Sequence, residues 1–199
     1  MKRNRIILLI VGLLVVDQVV KILVKTHMAL NEYITVFPDW FFIRFIENPG
    51  AAFGFELGGG YGKLALSLFR IVAVVALCWY LRHLARKKAP AGVMAGFSLV
   101  LAGALGNIID SAFYGLIFSE STYTTVATMF PPGGGYAGFL HGRVVDMLYF
   151  PIFSGVYPAW LPGVGGEPFT FFSPIFNLAD SYITIGVIYL LLFQRRYFR

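Results

Sequence analysis

The sequence predicts an α-helical membrane protein with four membrane-spanning helices, and two observations support this. Of the 199 residues, 58% are hydrophobic and 13% are charged, whereas an ordinary soluble domain carries about 25% charged residues. The hydrophobic residues also fall into four runs of roughly 18 to 21 residues, and helices of that length cross a hydrocarbon core of about 30 Å. This composition argues against a disordered chain, a disulfide-rich scaffold and a freely soluble enzyme.

The four predicted spans cover roughly residues 6–24, 64–81, 89–109 and 176–193. The first span contains Asp17 and Lys21 and is followed by no convincing small-residue cleavage site, so we expect a retained helix rather than a signal peptide. The segments 25–63 and 110–175 connect spans on one side of the membrane, and the basic residues predict which side this is. We expect residues 1–199 to form a single integral membrane domain.

The basic residues predict the orientation of the spans. Ten of the 16 Lys and Arg residues lie at the two termini or between the second and third spans, whereas four lie in the other two connecting segments. Because Lys and Arg accumulate on the cytoplasmic side of a membrane, we expect both termini in the cytoplasm. The segments 25–63 and 110–175 are then the two outer segments. The same distribution explains the net charge of +6 as a topology signal, so no nucleic-acid partner is expected.

The first outer segment predicts a small β-sheet at the membrane interface. Residues 33–37 and 40–46 are rich in β-branched and aromatic residues, which favour strands, and Pro38-Asp39 between them is a natural turn. Aromatic side chains also collect at the depth of the lipid headgroups. A plain connecting hairpin is the alternative.

The second outer segment is long, and Pro- and Gly-rich stretches at 131–135 and 162–166 interrupt any continuous helix.

Four carboxylates lie within or at the ends of the apolar runs, and these are Asp17, Asp110, Asp146 and Asp180. A charge at the bilayer centre costs about 2.5–3.5 kcal/mol on insertion scales, so such residues usually have partners. Asp17 and Lys21 share one helix face, which predicts a structural ion pair. Asn107 and Asp110 also share a face, and we expect them to bond a neighbouring helix or cap the span. Arg70 is expected to snorkel or to bind a lipid phosphate without a chemical role.

Asp146 and Asp180 have no such simple explanation. Given the topology, Asp180 lies in the outer half of the membrane and Asp146 in an outer segment, so the two can meet near the outer interface. Two carboxylates at one site do not both ionise easily, and the pair can hold one proton. The ionised member can then activate a water while the protonated member polarises a carbonyl. At this point, a proton or ion relay explains intramembrane acids equally well.

Other catalytic chemistries are poorly represented in the chain. The three histidines lie in three different connecting segments, and with the lone Cys78 they form no zinc-binding spacing. The serines include no Gly-x-Ser-x-Gly elbow, and the glycines at 133–135 are followed by no lysine, as a phosphate loop requires. We therefore expect neither a metal nor a cofactor.

Five short motifs follow one another along the chain: DQVVK at 17–21, NPGAAFG at 48–54, GNIID at 106–110, VVD at 144–146 and FNLAD at 176–180. Each motif alone is a weak signal. Together, in this order and on four spans, they resemble the lipoprotein signal peptidases (signal peptidase II), the aspartyl proteases of the bacterial inner membrane. The resemblance extends over nearly the whole chain.

The resemblance implies an activity, a site and a location. Members of the family remove the signal peptide from prolipoproteins by cutting just before a cysteine that carries a diacylglyceryl group. By resemblance, Asp146 and Asp180 are the catalytic pair, and the outer sheet is a periplasmic β-cradle that holds the substrate. Substrate-binding or supporting roles are implied for Asn48, Gly50, Asn107, Asp110, Arg143 and Asn177. The expected partners are prolipoprotein substrates and membrane lipid, and the chain is expected to be monomeric.

The chain departs from the family pattern in two places. Ser111 stands where the third motif commonly continues with arginine. Arg143 is the only basic residue in the second outer segment, and we hypothesise that it takes over the role of that arginine. Residues 115–140 and 150–172 also look like insertions relative to a compact family member, and the sequence does not indicate their role.

Two other classes of function compete with a peptidase. A proton-coupled carrier or channel subunit would favour acids near the membrane midplane and repeated halves with broken helices, whereas these acids cluster toward one face and no repeat is evident. A non-catalytic scaffold would leave Asp146 and Asp180 without a reason to exist. The sequence therefore predicts a membrane aspartyl endopeptidase.

Overall fold

The computed structural model describes residues 3–49 and 59–198. Its main helices are α1 (Arg3–His27), α2 (Gly59–Arg86), α3 (Ala91–Ile109) and α5 (Leu178–Phe193). Helix α3 continues through a π-helical turn, Asp110–Tyr114, into the short helix α4 (Gly115–Ile117), and α5 is followed by a 3-10 turn, Arg195–Phe198. Residues 50–54 of the second motif, which include Gly50, lie outside the described residues.

Three helical segments are long and apolar enough to cross a membrane by length and composition, and they are Asn4–His27, Leu64–Arg86 and Ala91–Ile117. They overlap with the first three predicted spans, and the third continues beyond residue 109 to Ile117, because α3 runs on through the π-helical turn into α4. Helix α5 has 16 residues and is a shorter apolar helix. It begins at Leu178 rather than at residue 176, because Ile175–Phe176 forms a strand.

Helix α3 lies at the centre of the bundle, where it contacts α1, α2 and α5. The outer faces of α1 and α2 carry exposed apolar side chains such as Leu8, Phe69 and Trp79, each about 70% exposed. Such faces are typical of helices surrounded by lipid, in which small residues let helix backbones approach each other. Gly103 of α3 provides this close approach to α5, since a Cβ at this position would collide with the backbone oxygen of Ala179.

The predicted sheet forms, and it recruits strands from the second outer segment. Strands β1 (Tyr33–Phe37), β2 (Phe41–Asn48), β3 (Val144–Tyr149) and β6 (Ile175–Phe176) form one antiparallel sheet in that order. A separate two-stranded sheet consists of β4 (Phe153–Val156) and β5 (Pro168–Phe171), within the region 150–172 that looked like an insertion. The aromatic segment at 33–46 is therefore one edge of a larger sheet rather than an isolated hairpin.

The sheet brings distant parts of the sequence to the outer end of the bundle. The central strand β3 pairs with β2, so that Ile46 lies opposite Asp146 and Asn48 opposite Val144. On its other side, β3 pairs with β6, which leads directly into α5. The first four residues of β3 are buried, and Asp146 therefore points into the protein near the start of α5.

We expect Gly103→Ala to destabilise the bundle by about 1–3 kcal/mol, because the added methyl group forces α3 away from α5. Its Cβ would also lie 2.7 Å from the side chain of Ile183. Thermal unfolding of the purified protein in detergent measures this as a lower Tm. Gly12→Ala is the matched control, since a Cβ there meets nothing within 4 Å and alanine favours a helix. Equal Tm values for the two variants would contradict the close packing of α3 on α5.

Candidate active site

The start of α5 positions Asp180. Asn177 is the N-cap residue of this helix, and its side-chain oxygen accepts a hydrogen bond from the Asp180 backbone N–H at 2.9 Å. In return, the Asn177 backbone N–H donates to Oδ2 of Asp180 at 3.4 Å. This reciprocal capping box satisfies two N–H groups at the helix start. It also fixes the Asp180 carboxylate beside Asn177.

Two asparagines connect Asp180 with Asp146. Nδ2 of Asn177 donates to Oδ1 of Asp146 at 2.7 Å and to Oδ1 of Asn107 at 3.2 Å. Nδ2 of Asn107 donates to Oδ1 of Asp180 at 2.8 Å. The two carboxylates are therefore held by adjacent amides from α3 and from the start of α5.

Lys21 determines which way the Asn107 amide points. Its Nζ donates to Oδ1 of Asn107 at 3.0 Å, and an ammonium group can only donate. The amide oxygen of Asn107 must therefore face Lys21, which leaves its NH₂ group for Asp180. A cation in α1 thus orients a donor toward one of the two candidate catalytic carboxylates.

Lys21 also forms a buried charge cluster with Asp17 and Asp110. Its Nζ lies 3.1 Å from Oδ2 of Asp17 and 2.8 Å from Oδ2 of Asp110, and all three side chains are at most 1% exposed. Gln18 donates to both carboxylates, at 3.1 Å and 2.9 Å respectively, and accepts a hydrogen bond from Tyr114. The cluster joins α1 to the end of α3.

Each acid of this cluster also holds the backbone next to a candidate catalytic aspartate. Oδ1 of Asp17 accepts a hydrogen bond from the Ala179 backbone N–H at 2.9 Å. Oδ2 of Asp110 accepts one from the Val145 backbone N–H at 3.3 Å. Ala179 and Val145 immediately precede Asp180 and Asp146 in the chain. Buried hydrogen bonds to charged acceptors are strong, so the cluster sets the positions of both aspartates.

The surroundings of Asp146 favour its protonated form. Burial, followed by the nearby negative charge of Asp180, raises the pKa of Asp146 to about 7, although the hydrogen bonds from Asn177 and Asn48 and the charge of Lys21 oppose this rise. The Asp146 side chain is 4% exposed, whereas Asp180 is half-buried. The pair can therefore hold one proton close to neutral pH.

Arg143 lies on a separate network near the sheet. Its guanidinium contacts Glu47 at 3.1 Å and Glu120 at 3.0 Å, and Lys25 of α1 pairs with the same Glu47. Burial of Arg143 acts to lower its pKa, but the two glutamates outweigh burial and raise it. The structure therefore places Arg143 with glutamates of β2 and of the second outer segment rather than at Ser111.

Arg70, which we expected to snorkel or to bind a lipid phosphate, has a polar neighbour within the protein. Its Nη1 lies 3.5 Å from the hydroxyl of Ser111, so the guanidinium faces the protein. Sequence reasoning missed this contact. The available signal was the spacing of Ser67, Arg70 and Val74, which places all three on one face of α2.

Lys21→Met should destabilise the protein by about 3–5 kcal/mol, because it leaves Asp17 and Asp110 buried without their cation. A thermal unfolding curve in detergent measures the change in Tm. Lys87→Met is the matched control, since Lys87 is exposed at the end of α2 and should change the Tm little. An unchanged Tm in Lys21→Met would show that the charge cluster does not hold α1 against α3.

Comparison with known proteins shows the family of the chain. The family model described as Signal peptidase (SPase) II matches residues 9–195. The chain is similar to the lipoprotein signal peptidase of Porphyromonas gingivalis, with 57% identity over 184 residues, 92% of this chain and 79% of that protein. The corresponding protein of Amoebophilus asiaticus is 36% identical over 184 residues, 91% of this chain and 73% of that protein.

A solved structure gives the same result at the level of the fold. A bacterial membrane enzyme determined by the in meso method at 2.3 Å resolution matches with a TM-score of 0.63 and 27% sequence identity, covering 98% of this chain and 89% of that chain. The apolar helices fit a membrane protein. The chain belongs to the signal peptidase II family of bacterial membrane proteases.

Proposed function

We propose that the protein is an aspartyl endopeptidase that removes the signal peptide from diacylglyceryl-modified prolipoproteins, cutting just before the lipidated cysteine. One observation carries the mechanism: Asp146 and Asp180 are held together through Asn177 and Asn107 where β3 meets the start of α5. Membership of the signal peptidase II family supports prolipoproteins as the class of substrate. The hydrolysis needs only water, carboxylates and amides, so the proposal includes no metal or cofactor.

The two aspartates divide the acid and base roles. Asp146 carries the shared proton, in keeping with its raised pKa, and Asp180 acts as the base. A water gives one proton to Asp180 while its oxygen bonds to the scissile carbonyl carbon, and Asp146 donates its own proton to the carbonyl oxygen. The tetrahedral intermediate then collapses. The leaving nitrogen takes the proton from Asp180, a hydroxyl proton returns to Asp146, and the pair is singly protonated again.

The other polar groups support this reaction. Asn177 and Asn107 donate hydrogen bonds to the two carboxylates, and the side chain of Asn48 also hydrogen-bonds Asp146. Asp110 and Lys21 hold the surrounding backbone and the Asn107 amide, and Asp17 completes the ion cluster. The substrate-binding or supporting roles that the family resemblance implies for Gly50 and Arg143 are part of the same proposal.

The proposed orientation places the site at the periplasmic surface of the inner membrane. Helices α1, α2, α3 and α5 span the bilayer, with both termini on the cytoplasmic side, as the distribution of basic residues indicates. The 16 residues of α5 extend over about 24 Å, and in this orientation Asp180, in the first turn of α5, would lie just below the outer interface. The lipid of the substrate then remains in the bilayer while its peptide lies beneath the sheet. Since both proposed catalytic aspartates and their amide partners belong to one chain, the proposal is a monomer with a single membrane domain.

Replacing either Asp146 or Asp180 by Asn should reduce cleavage by about a thousandfold or more, because each substitution removes an acid or base from the reaction. The assay uses purified protein in lipid or detergent, a diacylglyceryl-modified prolipoprotein, and the mobility shift that follows loss of the signal peptide. Asp39→Asn is the matched control, since Asp39 is exposed in the β1–β2 turn. A parallel reaction with a chelator should proceed normally. Cleavage that survives either substitution would exclude this pair and make Asp110 the next candidate.

The rate of cleavage should fall as the pH rises through about 7. The pKa of Asp146 is raised to about 7, so above that pH the pair loses the proton that the reaction donates to the carbonyl oxygen. The profile of kcat/KM against pH reports the ionisation of the free enzyme and should show its alkaline limb there. A rate that stays constant up to pH 9 would contradict Asp146 as the proton donor.

A further inference from the structure

Helix α2 has an inner and an outer face, and Arg70 lies on the inner one. Ser67 and Val74, three residues before and four residues after Arg70, are 3% and 9% exposed. Phe69 and Val72 on the opposite face are 69% and 66% exposed. Arg70 itself is half-buried. An arginine that faced lipid would lie on the exposed face with Phe69 and Val72. Arg70 lies on the other face, so its side chain is directed toward the protein interior.

The inner face of α2 contacts the elements that form the site. The Arg70 guanidinium donates to the Ser111 hydroxyl at 3.5 Å, and the Ser67 hydroxyl donates to the Leu140 carbonyl at 3.2 Å. Ser111 is buried and donates in turn to the backbone carbonyl of Asn107 at 3.0 Å. Arg70 is thus connected, through one hydroxyl, to the residue whose amide holds Asp180.

The charges around the site explain why a cation is useful at this position. The Arg70 guanidinium interacts electrostatically with Asp180, Asp146 and Asp110, in that order of strength. Asp17 and Asp110 already share the charge of Lys21. Lys21 also acts on Asp146, but its charge is shared with these two acids, and Arg70 adds a second cation on the side of α2.

We propose that Arg70 is a positioning residue for the peptidase reaction: held against Ser111, it supplies the positive charge that keeps the aspartate pair singly ionised in the working pH range. This inference rests on the proposed aspartyl peptidase function. It also assigns to Arg70, rather than to Arg143, the role of the arginine that is missing at Ser111, since the Arg143 guanidinium is engaged by Glu47 and Glu120.

The consequence is a defined change in pH dependence. A nearby cation favours the ionised form of a carboxyl group, so removing it makes the pair harder to ionise. The acid limb of the kcat/KM profile in Arg70→Gln should move upward by roughly one unit. At a pH on that limb, the rate should fall about tenfold, while at higher pH most of the rate should return. A purely structural role would lower the rate equally at every pH.

The experiment compares Arg70→Gln with three further variants of the same chain over the whole pH range. Arg70→Lys retains the charge and should keep the acid limb within a few tenths of a unit of the parent. Arg82→Gln removes one arginine from the same helix, about 18 Å along its axis, at an exposed position, and should leave the profile unchanged. Arg143→Gln tests the alternative cation, and its acid limb should stay in place.

Moving the arginine from α2 to the facing π-helical turn by mutation provides a rescue. In the double variant Arg70→Gln with Ser111→Arg, the guanidinium belongs to the π-helical turn instead of α2. It still lies between positions 70 and 111, next to the aspartate pair. Its acid limb should return toward that of the parent. Because the rescue needs a folded protein, it also separates the effect of charge from a failure of Arg70→Gln to fold.

The outcomes separate the two proposals. If the parent cleaves and Asp146→Asn does not, the peptidase function stands whatever the Arg70 variants do. An acid limb that stays in place in folded Arg70→Gln, or one that moves in Arg143→Gln instead, overturns the role of Arg70. No cleavage by the folded parent at any pH would overturn the proposed function, and the role of Arg70 with it.

Discussion

The buried ammonium group of Lys21 is the interaction on which the site depends. It pairs with Asp17 on its own helix and with Asp110 at the end of α3, and it orients Asn107. A buried ion pair is weak evidence for stability, because desolvation offsets most of the attraction. Its value here is geometric: the two acids, fixed by one cation, bind the backbone immediately before Asp180 and Asp146.

The site therefore has an inner layer and a supporting layer with different electrostatic tasks. In the supporting layer, opposite charges lie in contact and hold the helices together. In the inner layer, burial, together with the nearby negative charge of Asp180, raises the pKa of Asp146 to about 7. The asparagines separate these layers, because neutral amides transmit position without adding charge.

The helices and the first hairpin could be predicted from the sequence because hydrophobic run length and β-forming composition are local properties. Strand β3 could not be predicted, since its pairing with β2, about a hundred residues away, leaves no local pattern, and the two residues of β6 are too short to show one. The same distinction applies to the site. Asp146 and Asp180 were identifiable as costly charges in apolar surroundings, whereas the neighbour of Arg70 was not, because spacing along α2 does not reveal which helix it faces.

The order of these elements along the chain has a consequence for biosynthesis. Asn177 and Asp180 lie at the start of α5, whereas the side chains that orient them come from α1 and α3. Before α5 is synthesised, a ribosome-bound chain contains one aspartate of the pair and an incomplete amide bridge. The proposed site can therefore assemble only after α5 has left the ribosome and packed against α1 and α3.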